Sequence, residues 1–108
     1  MKKILLIILA LFSLEASSQI VVTHFNAEWN EPNKVKYIGK LTDCDIVYVD
    51  IAKSPKLQEK HQIVIVPTVV IFKDGEEVKR FQADISFSMI ATRKDMQAAI
   101  DELLMSDF

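Results

Sequence analysis

The chain has 108 residues, 13 of them basic and 15 acidic, and its formal net charge is −2. This length allows a single domain. No basic stripe or block of like charge occurs, so nucleic acid is not expected as a partner. The single cysteine, Cys44, excludes a disulfide within the chain.

The first 18 residues have the pattern of a cleaved signal peptide. Lys2 and Lys3 form a positive start, residues 4–14 are apolar except for one serine, and small residues follow up to Ser18. The apolar run is shorter than the roughly 20 residues that a membrane span needs, although a retained anchor is the alternative. We therefore predict a signal peptide over 1–18 and an exported domain over 19–108, periplasmic or secreted, with no membrane segment after cleavage.

The first half of that domain predicts two strands with a helix between them. Residues 20–25 are apolar and β-branched, which favours a buried strand. A short helix is predicted over about 31–41, with Asn30 as its N-cap and Pro32 in its first turn. Residues 45–51 predict the second strand.

The second half predicts a helix, a hairpin and a last helix. Ser54 and Pro55 begin a helix that runs to about His61. Asp74-Gly75 is a hairpin signal between strands over 68–72 and 77–83. Thr92 and Asp95 resemble a capping box, and a stripe of four apolar residues follows: Met96, Ala99, Ile100 and Leu103.

The order of these elements is β-α-β-α-β-β-α, which defines the fold class as α/β. Strands that alternate with helices indicate a parallel pair, and the hairpin adds an antiparallel strand. We expect one central mixed sheet flanked by helices.

Three short motifs in this framework resemble those of the thioredoxin family. They are Ala27-Glu28-Trp29-Asn30-Glu31-Pro32-Asn33-Lys34, Pro67-Thr68 and Phe72-Lys73-Asp74-Gly75-Glu76. The resemblance implies a thioredoxin-like fold over about residues 20–104. It also places Asn30 and Asn33 where the family carries its two redox cysteines. An amide has no thiolate form, so the family's disulfide chemistry is not expected from this pair.

The resemblance also implies a candidate peptide-binding surface made by Trp29, Asn30, Val66 and Pro67. It implies a cis Val66–Pro67 bond, with the Val66 backbone presented to an extended chain. The alternative is that Asn30 is only a helix cap and that the surface has no task. His24 stands where the family often has a buried acidic residue; we expect a backbone carbonyl or water to satisfy it, and pH sensing is the alternative.

Three functions are compatible with these patterns. The first is a redox-inactive module that binds an unknown protein or extended peptide, as a monomer or weak dimer, without cofactor or metal. The second is a thiol–disulfide oxidoreductase or monothiol factor that acts through Cys44, although Cys44 should lie at the opposite pole from Asn30, either buried or paired between chains. The third is a structural subunit that assembles through the apolar segment 85–91, which otherwise packs over the sheet.

Overall fold

The computed structural model describes residues 19–106, and four strands in them form one mixed sheet in the order β2-β1-β3-β4. The central strand β1 (Ile20–Asn26) runs parallel to β2 (Asp45–Asp50) and antiparallel to β3 (Thr68–Lys73). Strand β4 (Glu76–Gln82) pairs antiparallel with β3. The predicted α/β class, with a parallel pair and an antiparallel hairpin, is confirmed. The predicted division into residues 1–18 and 19–108 lies partly outside the described residues and stays a prediction.

Two α-helices accompany the sheet, α1 (Pro55–Lys60) and α2 (Arg93–Met105). The predicted capping box is present, since the Thr92 side chain accepts from the Asp95 N–H and the Asp95 carboxylate accepts from the Thr92 N–H. The hairpin turn is also as predicted: Asp74 and Gly75 have φ of 53° and 88°, the left-handed values that a tight turn between twisted strands requires. Among residues 19–106, no helix is long and apolar enough to cross a membrane.

The helix predicted over residues 31–41 is wrong. In its place stand two 3₁₀ segments, Glu28–Asn33 and Ile38–Lys40. Asn30 is not an N-cap; it lies inside the first segment with non-helical φ and ψ of −110° and 19°. The order of elements is therefore β-3₁₀-3₁₀-β-α-β-β-α.

The physical reason is competition for the backbone donors of this segment. Pro32 has no N–H to donate, and the Lys34 N–H bonds to the Glu31 carbonyl in the tighter 3₁₀ pattern. The Val35 N–H, which an α-helix would direct back to Glu31, instead donates to the His24 side chain. One tertiary hydrogen bond thus replaces the bond that would have extended a helix.

Two apolar clusters lie on the two faces of the sheet. The larger one joins β1, β3, the segment 35–41 and α2, with Met96 and Ile100 fully buried, as the predicted helical stripe requires. The smaller one contains Phe25, Val66 and Val70 and continues to the loop before Pro67. The smaller cluster, through Phe25 and Ala27, reaches the loop end of β1 and anchors the chain on either side of Asn26.

Candidate functional site

Three asparagine side chains form a hydrogen-bonded network where β1 ends. The Asn30 amide nitrogen lies 3.1 Å from the Asn26 side-chain oxygen, and the Asn33 amide nitrogen lies 2.9 Å from the Asn30 side-chain oxygen. The Asn26 amide returns a bond of 3.2 Å to the Asn30 carbonyl. Asn30 is only 3% exposed, so its side chain is a structural cross-link rather than a surface cap.

The same Asn30 amide connects two further loops. Its nitrogen lies 3.3 Å from the Val66 carbonyl and 3.3 Å from the Phe87 carbonyl. Buried carbonyls need such partners, because an unpaired one costs about 1–3 kcal/mol. One side chain therefore holds together the segment 28–33, the proline loop and the loop that contains Phe87.

The proline loop has the geometry that the resemblance implied. The Val66–Pro67 peptide bond is cis. The Thr68 hydroxyl donates to the Ile65 carbonyl at 2.6 Å, and the Pro67 carbonyl accepts from the Ala83 N–H at 3.0 Å. The Val66 carbonyl accepts from Asn30, and the Val66 N–H donates to no acceptor among residues 19–106. Val66 is only 2% exposed, and the expected presentation of its backbone to an extended chain stays a prediction.

Two aromatic rings stand in front of this loop. Trp29 is 64% exposed, and its ring packs edge-to-face against Phe87 with centroids 5.2 Å apart. Phe87 is 40% exposed. An aromatic pair that stays open to solvent beside a buried polar network is a common composition of a protein-recognition surface.

The loop that carries Phe87 is fixed by Asp84. The Asp84 carboxylate accepts from the Ser86 N–H, the Ser86 hydroxyl and the Ser88 N–H, and these bonds lower the pKa of Asp84. Phe87 itself has φ of 64°, a left-handed conformation that is unusual for a large aromatic residue and marks local strain. The fixed loop holds the Phe87 ring against Trp29 and its carbonyl towards Asn30.

The segment 85–91 is divided between the two roles considered for it. Met89 and Ala91 pack against the larger apolar cluster. Ile85 and Ile90 remain exposed, at 93% and 66%. Packing on the core therefore explains Met89 and Ala91 but not Ile90. Ile85, two residues before Phe87, adds exposed apolar surface to the same loop.

His24 is buried under the segment 28–35, and a partner that the sequence did not indicate meets one of its ring nitrogens. Its Nε2 accepts from the Val35 N–H at 3.1 Å, while its own backbone carbonyl also acts on the ring. Its ring meets Tyr48 edge-on, with centroids 5.6 Å apart. Burial lowers the pKa of His24, and Lys34 adds to that effect, whereas its own backbone carbonyl and Glu31 oppose it. A cavity of about 680 Å³ adjoins the ring.

Cys44 lies far from the asparagine network. It precedes β2, whereas Asn26 at the end of β1 is in register with Asp50 at the end of β2. A strand of this length spans roughly 20 Å. The thiol is half-buried, and burial together with Asp45 and Asp43 raises its pKa, so it is a poor nucleophile near neutral pH.

The structure thus brings together Trp29, Asn30, Val66 and Pro67 and leaves Cys44 apart. Sequence reasoning missed the roles of Asn26 and Phe87. Asn26 had a signal, because it is a polar residue at the end of an apolar strand, and Phe87 lay in an apolar segment without a clear place. Within residues 19–106, no group of His, Cys, Asp and Glu side chains is arranged to hold a metal ion.

The mixed sheet, the cis-proline loop and the segment 28–33 beside it define a protein of the thioredoxin fold. The sequence profile of thioredoxin matches residues 12–96, and the chain therefore belongs to the thioredoxin family. With one cysteine in the whole chain, it lacks the family's paired redox cysteines.

Individual relatives agree with this assignment. The chain is 35% identical over 75 residues to the thioredoxin of Chlamydia trachomatis, covering 64% of this chain and 74% of that protein. It is similar in fold to a mutant thioredoxin from Halobacterium salinarum, with a TM-score of 0.61 at 22% identity over 85% of this chain and 80% of the other. The thioredoxin of Schistosoma mansoni gives a TM-score of 0.61 at 22% identity, over 88% and 85% of the two chains.

Proposed function

We propose that this chain is an exported, redox-inactive thioredoxin-like protein that binds an extended segment of a partner protein. The binding face consists of Trp29, Asn30, Val66, Pro67 and Phe87. The observation that carries the proposal is the solvent-exposed Trp29–Phe87 pair, which stands directly before a rigid, hydrogen-bonded loop junction.

Rigidity of this junction supports a binding role. The Asn30 side chain fixes the relative positions of three loops without any disulfide. A surface that is already ordered loses little conformational entropy when a partner binds. The asparagine pair therefore keeps the shape of the face while removing its thiol chemistry.

The unpaired backbone donor of Val66 supports an extended partner. Its N–H has no acceptor within residues 19–106 although Val66 is only 2% exposed, and a strand-like peptide that reaches it with a carbonyl would satisfy this buried donor. A carbonyl oxygen can accept two bonds, and that of Val66 already accepts from the Asn30 amide at 3.3 Å, which leaves less room for the second, reciprocal bond of ordinary strand pairing. We therefore expect one backbone bond to the peptide, with side chains on Trp29 and Phe87 supplying most of the affinity.

Loss of the Trp29 side chain should weaken this binding strongly. For a peptide selected from a random display library on the wild-type protein, Trp29→Ala should raise Kd by about 30-fold or more, which corresponds to roughly 2 kcal/mol. The fold should be retained, because the indole is largely exposed. Isothermal titration calorimetry gives the Kd, and circular dichroism checks the fold.

Lys40→Ala is the matched control, since Lys40 is exposed and belongs to the second 3₁₀ segment, away from the proline loop. It should leave Kd within about twofold of the wild type. Equal weakening by both substitutions, or by neither, would contradict a role for the Trp29 face. The partner surface would then have to be sought elsewhere on the molecule.

Export is tested separately. If residues 1–18 are a signal peptide, the protein recovered from the cell envelope or medium of an exporting bacterial host should begin at Gln19. Intact-mass measurement of the fractionated protein reads the N-terminus directly. Full-length chain that stays in the cytoplasm would contradict export without affecting the binding proposal.

A further inference from the structure

Within residues 19–106, the hydrogen bond from the Val35 N–H to the His24 side chain ties the end of the segment 28–35 to the sheet. His24 lies in the middle of the central strand β1 and is 5% exposed. Val35 is also 5% exposed and packs into the larger apolar cluster. The other end of the segment is held by Asn30 through its bonds to Asn26, Val66 and Phe87.

This bond exists only with a neutral imidazole. Because Nε2 accepts from the Val35 N–H, it uses the lone pair that a second proton would take, and the ring proton must reside on Nδ1. In the imidazolium both nitrogens are donors, so two N–H groups would point at each other. Protonation of His24 therefore removes the bond and leaves the Val35 N–H without its acceptor.

Beyond its own backbone carbonyl, which favours the charged form, the surroundings offer little to stabilise a charged ring. From β2, the Tyr48 ring meets His24 edge-on, and from β3 the paired residue is the apolar Val69. From the segment 28–35, Glu31 and Lys34 act on the ring with opposite signs and form an ion pair with each other at 2.9 Å. The remaining charged groups around the adjoining cavity are of both signs: Glu28, Lys36, Asp50 and Lys53.

We propose that His24 is a pH-sensitive latch: the neutral ring holds Val35, and with it the segment 28–35, on the sheet, and protonation releases that segment. Release frees the Val35 side chain from the core and widens the cavity beside His24. Trp29 belongs to the same segment, so its environment should change with the latch. Release of the segment also weakens peptide binding at the face that includes Trp29. Only this effect on binding rests on the proposed function.

The direction of the pH dependence follows from proton linkage. The folded-state pKa of His24 lies below the ordinary value of 6.5, so the unfolded or released state binds the proton more readily. The closed state, in which Val35 is bonded to neutral His24, has its full stability above pH 6.5. It loses that stability as the pH falls from 6.5 towards the lower folded-state pKa of His24. Across this window, one group changes the closing equilibrium by up to about tenfold per pH unit.

Amide hydrogen exchange of Val35, followed by NMR between pH 8 and pH 5, tests the latch without any partner. After correction for intrinsic exchange, protection of Val35 should fall by up to about tenfold per pH unit below pH 6.5. Protection in β3 should change much less. Fluorescence of Trp29, the single tryptophan, should change with the same midpoint as the His24 ring resonances.

His24→Gln is the decisive variant, because its amide oxygen can accept from Val35 but does not titrate. It should keep Val35 protected at both pH values and remove the fluorescence transition. His61→Gln is the matched control: His61 also has a pKa lowered by burial, but it packs on Phe25 and Phe72 on the other side of the sheet. The Val35 transition should persist in it.

Two results would overturn the latch. One is a Val35 protection that stays constant in the wild type while the His24 resonances titrate. The other is a Val35 transition that persists in His24→Gln or disappears in His61→Gln. If His24→Gln does not fold, the wild-type comparison of Val35 protection with the His24 resonances decides.

Acid-weakened capture of the selected peptide in the wild type but not in His24→Gln would extend the latch to binding. Failure of all capture, with the Val35 transition intact, would contradict the proposed function and leave the latch standing.

Discussion

Replacing Asn30 by alanine should lower the free energy of unfolding by about 3 kcal/mol. The substitution removes the donor shared by the Asn26 side chain and the carbonyls of Val66 and Phe87, in a position that is 3% exposed. Each acceptor left unpaired in a buried site costs about 1–3 kcal/mol, and partial access of water to the Phe87 loop keeps the sum towards the lower end. Urea denaturation followed by circular dichroism measures the change.

Asn33→Ala provides the matched control. Among residues 19–106, the Asn33 side chain bonds to Asn30 alone, and Asn33 is itself exposed. Its removal should cost less than about 1 kcal/mol. Similar losses from the two substitutions would mean that Asn30 is not the cross-link of the three loops. Since a domain of this size has a stability of only about 5–15 kcal/mol, the difference between the two variants should be readily measured.

The double substitution Asn30→Cys with Asn33→Cys should create a pair that oxidises to an internal disulfide. The two asparagine side chains already touch, with 2.9 Å between the Asn33 nitrogen and the Asn30 oxygen. A disulfide needs Cα atoms within about 7 Å, and residues three apart in a 3₁₀ segment satisfy this. Thiol trapping with mass spectrometry before and after oxidation counts the free thiols.

Stability should differ between the two redox states of this double variant. The reduced form lacks the Asn30 bonds and should be about 3 kcal/mol less stable than the wild type. Closing so short a loop with a disulfide should restore about 2 kcal/mol. The measurement is urea denaturation with and without reductant, and Cys44→Ser in the same background prevents mispairing with the native thiol.

The wild-type protein is the reference for disulfide-reductase activity, against which the cysteine variants are compared. With amides at positions 30 and 33 and a Cys44 thiol whose pKa is raised, it should not reduce insulin above background. Activity that survives Cys44→Ser would contradict a redox-inactive protein, and activity lost in Cys44→Ser would favour the monothiol alternative. A folded double variant that cannot form the internal disulfide would show that the side chains at positions 30 and 33 do not face each other.

Local patterns were sufficient where neighbouring residues decide the structure. The apolar run of β1, the left-handed turn at Asp74-Gly75 and the capping box at Thr92 are all set by residues close in sequence. Their predicted bounds differ from the observed ones by one or two residues at most. The arrangement of the segment 28–33 beside the proline loop came from the motif resemblance, since no local rule connects residues so far apart.

Local patterns failed where a distant side chain competes for a backbone group. Asn30 and Glu31 favour a helix start, but the Val35 N–H is taken by His24 and the Asn30 amide by Val66 and Phe87. Helix propensity is worth only a few tenths of a kcal/mol per residue, less than one buried hydrogen bond left unmade. Tertiary contacts therefore decide the conformation of residues 28–41.

The sequence by itself determined the strands, the last helix and the loss of the paired thiols, because those follow from side-chain periodicity, turn chemistry and the absence of a second cysteine. Only the tertiary structure decided that Asn30 is a buried cross-link, that Phe87 joins Trp29, and that His24 accepts from the Val35 N–H. Each of these depends on groups brought together from separate elements. Their hydrogen-bond partners are fixed by the requirement that buried polar groups be satisfied, which no pattern along the chain records.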